Sequence, residues 1–441
     1  MLALVLLAAA SATAGQVRDL IGKDQWQQAV AEARALVAQA PDSDATTALG
    51  EALYRAGRLD EAADVLTPLV AAGDAPARAG VQLGLVRAAE GRDAEASSLI
   101  EQAVAKAPLD PWIVYRAAGA APSRALAVER LEIFLDLATK DDADRVEGAR
   151  GTIRLYKALG ERKVWVPTRR PERVEVPLKP LAGTGGGYYI EASLANRKKI
   201  RLLIDTGSNG LFVALRAVAK GGLTRLSEET VFAGGDTGRT ESSRGLLARL
   251  AIGELEFKDA LITTTQDEFD PQGRYHGVLG LNVFDGYRVT LDFKKQRLIL
   301  EPCEGDAAGA PYWDVNGQML VRASAADGLD GMFLFDTGAV RSMVGRSMVE
   351  ALPGARVDRP AVVRTYGGNV ASAAAVRGVT IRFLGLESDG GPVYTSDLTL
   401  RSRLGGVEVS GFLGMDLLGR TRIVVDTRAH RVDVVAGAAK N

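Results

Sequence analysis

Two aspartates are set where a lone acid is costly. Asp205 closes the apolar run Leu202-Leu203-Ile204 and is followed by Thr206, Gly207 and Ser208. Far downstream, Asp336 closes Phe333-Leu334-Phe335 and is followed by Thr337, Gly338 and Ala339. A carboxylate leaving an apolar strand must find hydrogen bonds or give up its charge. Two of them brought within a few ångströms would repel, share a proton, and offer one water molecule both a base and an acid. Other catalytic groups are scarce. The chain holds two histidines, His276 and His430, and one cysteine, Cys303, so a histidine-rich metal site or an internal disulfide is not expected. A single Asp-Thr-Gly also reads as an ordinary turn whose acid accepts local amides, so the elements around each acid must decide.

Those elements repeat. A Gly-Gly pair follows each aspartate at almost the same interval, Gly234-Gly235 after Asp205 and Gly367-Gly368 after Asp336. Next come "GVLGLNVF" (277–284) and "GFLGMDLL" (411–418), which place Gly280 and Gly414 at closely matched distances beyond their aspartates. "VTLDF" and "IVVDT" then put Asp292 and Asp426 equally far past those glycines, after apolar runs and before turns, where they read as structural. Short alternating or apolar runs such as "YYIEASLA" and "RLILE", broken by Gly, Asn and Asp, are strand patterns. The region is read as one β unit present twice. A third triplet at Asp236 lacks the apolar lead-in and reads as a hairpin tip.

Apolar-apolar-Asp-Thr-Gly-Ser/Ala followed by apolar-apolar-Gly resembles the aspartic peptidases over about residues 172 to 437. The lobes are short, and so more similar to retropepsin-like units than to the longer pepsin lobes. The resemblance implies a catalytic dyad of Asp205 and Asp336 and hydrolysis of peptide bonds by activated water. It implies that Gly207 and Gly338 make the tight turns, with Ser208 and Ala339 completing the loops. Thr206 and Thr337 would hydrogen-bond across the interface, and Gly280 and Gly414 would let a closing strand pass behind each loop. Gly234, Gly235, Tyr366, Gly367 and Gly368 resemble substrate-covering flaps, with plain β-turns as the alternative. No cofactor or metal is implied. Both loops lie on one chain, so a monomer with an intramolecular pseudo-twofold site is expected.

Upstream the texture is helical. "LGEALYRAGRLDEA" (49–62) aligns with "LGLVRAAEGRDAEA" (83–96), so that Gly50 and Gly84, Gly57 and Gly91, and Ala62 and Ala96 all recur at one constant period. That period resembles tetratricopeptide repeats, in which paired helices bury their apolar faces against their neighbours. Residues 112–160 read as a degenerate or capping pair. The helical pattern ends at a stretch (164–187) with prolines at 167, 171, 177 and 180 and a glycine cluster, because proline fixes φ and removes an amide donor. From "RVEVPL" in that linker the first strand is expected.

The expected architecture is therefore multidomain: an all-α tetratricopeptide-like solenoid followed by an all-β bilobal aspartic-peptidase fold of tandem retropepsin-like type. Its expected divisions are an export signal (1–14), the repeats (15–163), the linker with first strand (164–187), lobe 1 (188–302) and lobe 2 (303–441). The apolar run Leu2–Ala10 is too short to span a bilayer and leads to Ala12-Thr13-Ala14, a small-x-small site before Gly15. A periplasmic or extracellular location in a bacterial envelope follows as an expectation, with no membrane span after cleavage. A net charge of −1 supplies no basic field for nucleic acid. Three functional readings stand: an exported aspartic endopeptidase acting on peptide or protein, an inactive binding module of the same fold, and a scaffold whose repeats bind a protein partner.

Overall fold

The computed structural model describes residues 13–436, except 182, 184–185, 233–238, 267–268, 271, 306, 327–328, 366–367, 371–372 and 389–390. Nine α-helices precede the first strand among these residues. They are α1 (Ala14–Gly22), α2 (Trp26–Gln39), α3 (Ser43–Arg55), α4 (Leu59–Ala71), α5 (Ala77–Ala89), α6 (Asp93–Lys106), α7 (Pro111–Gly119), α8 (Arg124–Leu137) and α9 (Ala143–Leu159). Contacts divide the chain into two compact units near residue 120, residues 89–91 grouping with the second.

In the first unit the helical period has a steric cause. A methyl on Gly50 of α3 would sit 2.6 Å from the Leu66 side chain of α4, and one on Gly84 of α5 would sit 2.7 Å from Ile100 of α6. Leu66 and Ile100 are fully buried, as are Ala62 and nearly so Ala96. Each helix pair thus closes on a glycine, and the same large side chain position fills the gap. Gly57 and Gly91 both take positive φ, 71° and 76°, the backbone that ends the first helix of each pair at little cost only for glycine. Asp110 caps α7 by accepting from the Trp112 and Ile113 amides, with Pro111 at the first helical position. The sequence groups α8 and α9 with the repeats. Their contacts place them in the second unit, where Leu155 and Leu159 of α9 pack on Leu246, Leu226 and Leu261 of the β-rich region.

That second unit is built twice over. In its first half five strands run in the order Tyr188–Leu194, Lys199–Ile204, Gly277–Leu279, Leu211–Ala214, Ala260–Thr265. In its second half the order is Gln318–Ser324, Asp330–Phe335, Gly411–Leu413, Met343–Gly345, Val393–Ser396. Directions match as well. The middle strand of each set runs parallel to the strand before the aspartate and antiparallel to the strand after it. The linker strand Val174–Pro177 joins Arg297–Pro302 in a separate six-stranded sheet. At the centre of that sheet Tyr287–Asp292 pairs with Thr421–Asp426, one strand from each half. Asp292 accepts from the Lys295 amide and Asp426 from the Arg428 and Ala429 amides, so both acids hold turns at strand ends.

The buried core runs through both halves and the shared sheet, from Ile190, Leu202 and Ile204 through Val289 and Leu291 to Phe333, Phe335 and Ile423. Burying each such side chain contributes about 1.5–3 kcal/mol. The middle strands leave no room for side chains at their first residue. A methyl on Gly277 would lie 2.1 Å from the Phe212 carbonyl oxygen, and one on Gly411 2.3 Å from that of Met343. Gly277→Ala and Gly411→Ala are therefore each expected to lower stability by roughly 1–3 kcal/mol or more through overpacking against backbone. Denaturant unfolding checks this; midpoints equal to wild type would contradict the fit described.

Candidate active site

Each aspartate leaves its strand at the place where the middle strand ends. The Asp205 amide donates to the Leu279 carbonyl and the Asp336 amide to that of Leu413, both at 3.0 Å. Behind the loops the middle strands finish on Gly280 and Gly414. A methyl on Gly280 would lie 2.2 Å from the Ser208 carbonyl oxygen, and one on Gly414 2.5 Å from the Arg341 carbonyl carbon. Backbone passes backbone here, which only a residue without Cβ allows. The two backings differ in detail. The Gly280 amide donates to the Gly210 carbonyl, whereas that of Gly414 donates to the Ser342 hydroxyl, which in turn donates to Asp416.

The loops then cross. The Thr206 amide donates to the Thr337 hydroxyl (3.2 Å), and the Thr337 amide donates to the Thr206 hydroxyl (3.0 Å). Each hydroxyl donates onward to a carbonyl of the opposite lobe, Thr206 to Phe335 and Thr337 to Ile204. Both threonines are buried, so every one of these groups would be costly to leave unmade. The glycines after them are pressed on the opposite acid. A methyl on Gly207 would come within 2.8 Å of the Asp336 carboxyl carbon, and one on Gly338 within 2.6 Å of that of Asp205.

The clamp brings the acids together, each facing the glycine that follows the other. Asp205 Oδ1 also accepts from the Gly207 amide (3.0 Å), and Asp336 Oδ1 from the Gly338 and Ala339 amides (2.8 and 3.0 Å). The Ser208 amide goes instead to the Asp205 main-chain carbonyl. Both aspartates are half-buried. Burial and the neighbouring Asp336 push the Asp205 carboxyl well above the usual carboxylate range. Burial raises Asp336 too, opposed by the nearby Arg401 cation, the Asp205 carboxyl and the two amides. The arrangement can hold one proton between two carboxyls and present a base and an acid to a water molecule.

The first lobe has a second apolar cluster that includes Leu203 of the strand leading to Asp205: Leu181, Leu203, Phe269 and Val278 with Tyr189, Phe212 and Tyr275. In the second lobe Arg401 of the short helix Thr399–Gly405 lies over the Phe412 ring. No motif in the sequence marks Arg401, and it becomes visible only in three dimensions. Of the candidate flap residues, Gly234, Gly235, Tyr366 and Gly367 lie outside the described residues, as does Asp236. Gly368 pairs with Thr365 in a two-stranded ladder. His276 accepts from the Arg201 amide and sits within the fold. Among the described residues no group of His, Cys, Asp or Glu could hold a metal ion, and no helix is long and apolar enough to cross a membrane.

Comparison with known families matches these halves. The family model described as aspartyl protease fits twice, over residues 190–283 and 321–417, each fit starting in the second strand before an aspartate and running into its middle-strand motif. The β-rich region is a two-lobed aspartic-peptidase fold. No curated protein matches the chain.

The raised Asp205 sets a pH dependence. Its folded value lies above its unfolded one, so its contribution to stability is complete below about pH 4 and is lost as pH rises through the folded value. Asp205→Asn never ionises and escapes that loss. Thermal unfolding from pH 4 to 8 is expected to show the variant gaining on wild type as pH rises. Parallel melting curves across that range would contradict a carboxyl held protonated.

Proposed function

We propose that this chain is an aspartic endopeptidase in which Asp205 and Asp336 activate water against a peptide bond. The observation that carries the reading is the pair of aspartates set beside each other, each against the glycine after the other, and fixed by the crossed Thr206–Thr337 contacts. In this mechanism the ionised carboxylate takes a proton from water as the new C–O bond forms, while the protonated carboxyl gives its proton to the carbonyl oxygen. A proton then passes to the amide nitrogen as the C–N bond breaks. No cofactor is required. Proton transfer of this kind contributes about 10²–10⁴-fold. The reading is further supported by both lobes keeping an acid at the same place in the strand order.

The full chain incubated with a mixed peptide library from pH 3 to 7 is expected to cleave. Asp205→Asn and Asp336→Asn should each abolish cleavage with the fold intact, and the double variant should lose little more, since residues acting as a unit are non-additive. Asp236→Asn should change the rate modestly at most. Wild-type turnover in Asp205→Asn would sink the peptidase reading in favour of the binding module. Activity per chain should not depend on concentration, because both loops lie on one chain.

The helical period fits tetratricopeptide-like repeats, which in this reading recruit a protein partner or substrate. Export to the periplasm or outside the cell follows from the apolar leader, with cleavage before Gly15. Such cleavage would remove Thr13, whose hydroxyl and main-chain amide form a reciprocal cap with Gln16, at about 0.5–2 kcal/mol to the first helix. N-terminal sequencing of chain from its native host tests this: Gly15 first is expected, and Met1 or Leu2 retained would reject it.

A further inference from the structure

We propose that Arg401 is a positioning residue that breaks the symmetry of the carboxyl pair, holding the shared proton on Asp205 and leaving Asp336 as the carboxylate that activates water. The inference rests on the peptidase reading for its chemistry and on the geometry of the pair for its direction.

The lobes are matched strand for strand, so a symmetric pair would have no reason to place its proton on one side. Two features break the match. Arg401 lies on the second-lobe helix Thr399–Gly405, and its Nη2 donates to the Gly207 carbonyl oxygen of the first-lobe loop at 3.4 Å. Gly207 is the residue on which a methyl would come within 2.8 Å of the Asp336 carboxyl carbon, so the cation is anchored to backbone beside Asp336. Its guanidinium carbon stands 6.0 Å from the centre of the Phe412 ring, on the strand that backs Asp336. The second feature is the number of loop amides. Asp336 Oδ1 accepts from two of them, Asp205 Oδ1 from one. Hydrogen bonds to the charged form and a nearby cation both favour ionisation.

Among the described residues the first lobe shows no matching cation for Asp205. Its stretch before the middle strand contains Arg274, whose Nη2 and Nε are bound to Asp270 at 2.9 Å, and Tyr275, whose phenol is kept protonated by burial and the charges of Asp270 and Asp205. In the second lobe Arg341 faces Asp416 at 4.0 Å. Among the described residues the groups acting on Asp336 are the Gly338 and Ala339 amides of its own loop, Asp205 from the opposite loop, and Arg401 from the helix. The directions agree. After burial, Arg401 is the largest influence on Asp336 and acts to lower it, while on Asp205 it ranks behind burial, Asp336 and the Gly207 amide. Burial works against the charge of Arg401, and the two carboxyls favour it. Arginine remains protonated in such surroundings.

Two measurements on the full chain test this. In the unsubstituted protein, ¹³C NMR titration of aspartate carboxyls, assigned with Asp205→Asn and Asp336→Asn, is expected to show Asp336 ionising first and Asp205 keeping its proton to higher pH. The reverse order overturns the proposal, and this arm needs no peptidase activity, so it stands apart from failure of the peptidase reading. The second measurement is the pH profile of kcat/KM for Arg401→Gln and Arg401→Lys. Loss of the cation should move both limbs to higher pH by about one unit or more, and lysine should restore most of that displacement. A uniform fall in rate in Arg401→Gln with both limbs at their wild-type pH assigns Arg401 a packing role only and overturns the proposal. If Arg401→Gln fails to fold, the titration of the unsubstituted chain decides.

Discussion

Everything at the candidate site depends on the two threonines that hydrogen-bond across the lobes. Their amides and hydroxyls satisfy one another and then reach the last carbonyls of the opposite strands, Phe335 and Ile204. Backbone groups on both loops that would otherwise be buried and unpaired are thereby accounted for. The same contacts fix the distance between the loops, and with it the distance between the carboxyls. Two acids in mutual repulsion would separate if their loops could move. Here the loops are tied at the next residue, so burial and the repulsion raise the Asp205 carboxyl instead of parting the pair.

Glycine is what makes so close an approach possible. The glycines at 207, 280, 338 and 414 all face backbone or carboxylate within 3.0 Å of where a methyl would be. The same residue type serves the helical unit for another purpose, at Gly50 and Gly84, where it admits a buried Leu or Ile side chain between helices. In both units a period read along the chain marks places where the fold has no spare volume.

This explains which parts could be read in advance. The dyad loops and the closing glycines touch one another, Gly280 against Ser208 and Thr206 against Thr337, so each contact joins motifs that the sequence itself displays, and duplication displays them twice. The change from helical to strand texture at the proline-rich stretch is equally local. The grouping of α8 and α9 is not, because it depends on Leu155 and Leu159 meeting Leu246, which lies beyond the linker and several strands. Arg401 escapes for the same reason. It sits in an unremarkable "TLRSRLG" segment, and only the path of the second lobe brings its guanidinium to the carbonyl of Gly207. Tyr275 and Ser342 are similar cases, ordinary in sequence and placed by topology.

The six-stranded sheet joins one strand from each half, Arg288 opposite Asp426 and Asp292 opposite Arg422, and so holds together two related halves of one covalent chain. In an assembly of two identical chains every substitution is made twice, and a cation introduced beside one acid is introduced beside both. A duplicated chain is released from that constraint. Each half can drift separately under a common frame, so one side of the cleft can remain greasy and the other acquire charge while the strands that carry them stay superposable. Inheritance of two copies in one gene is what allows left and right to become different.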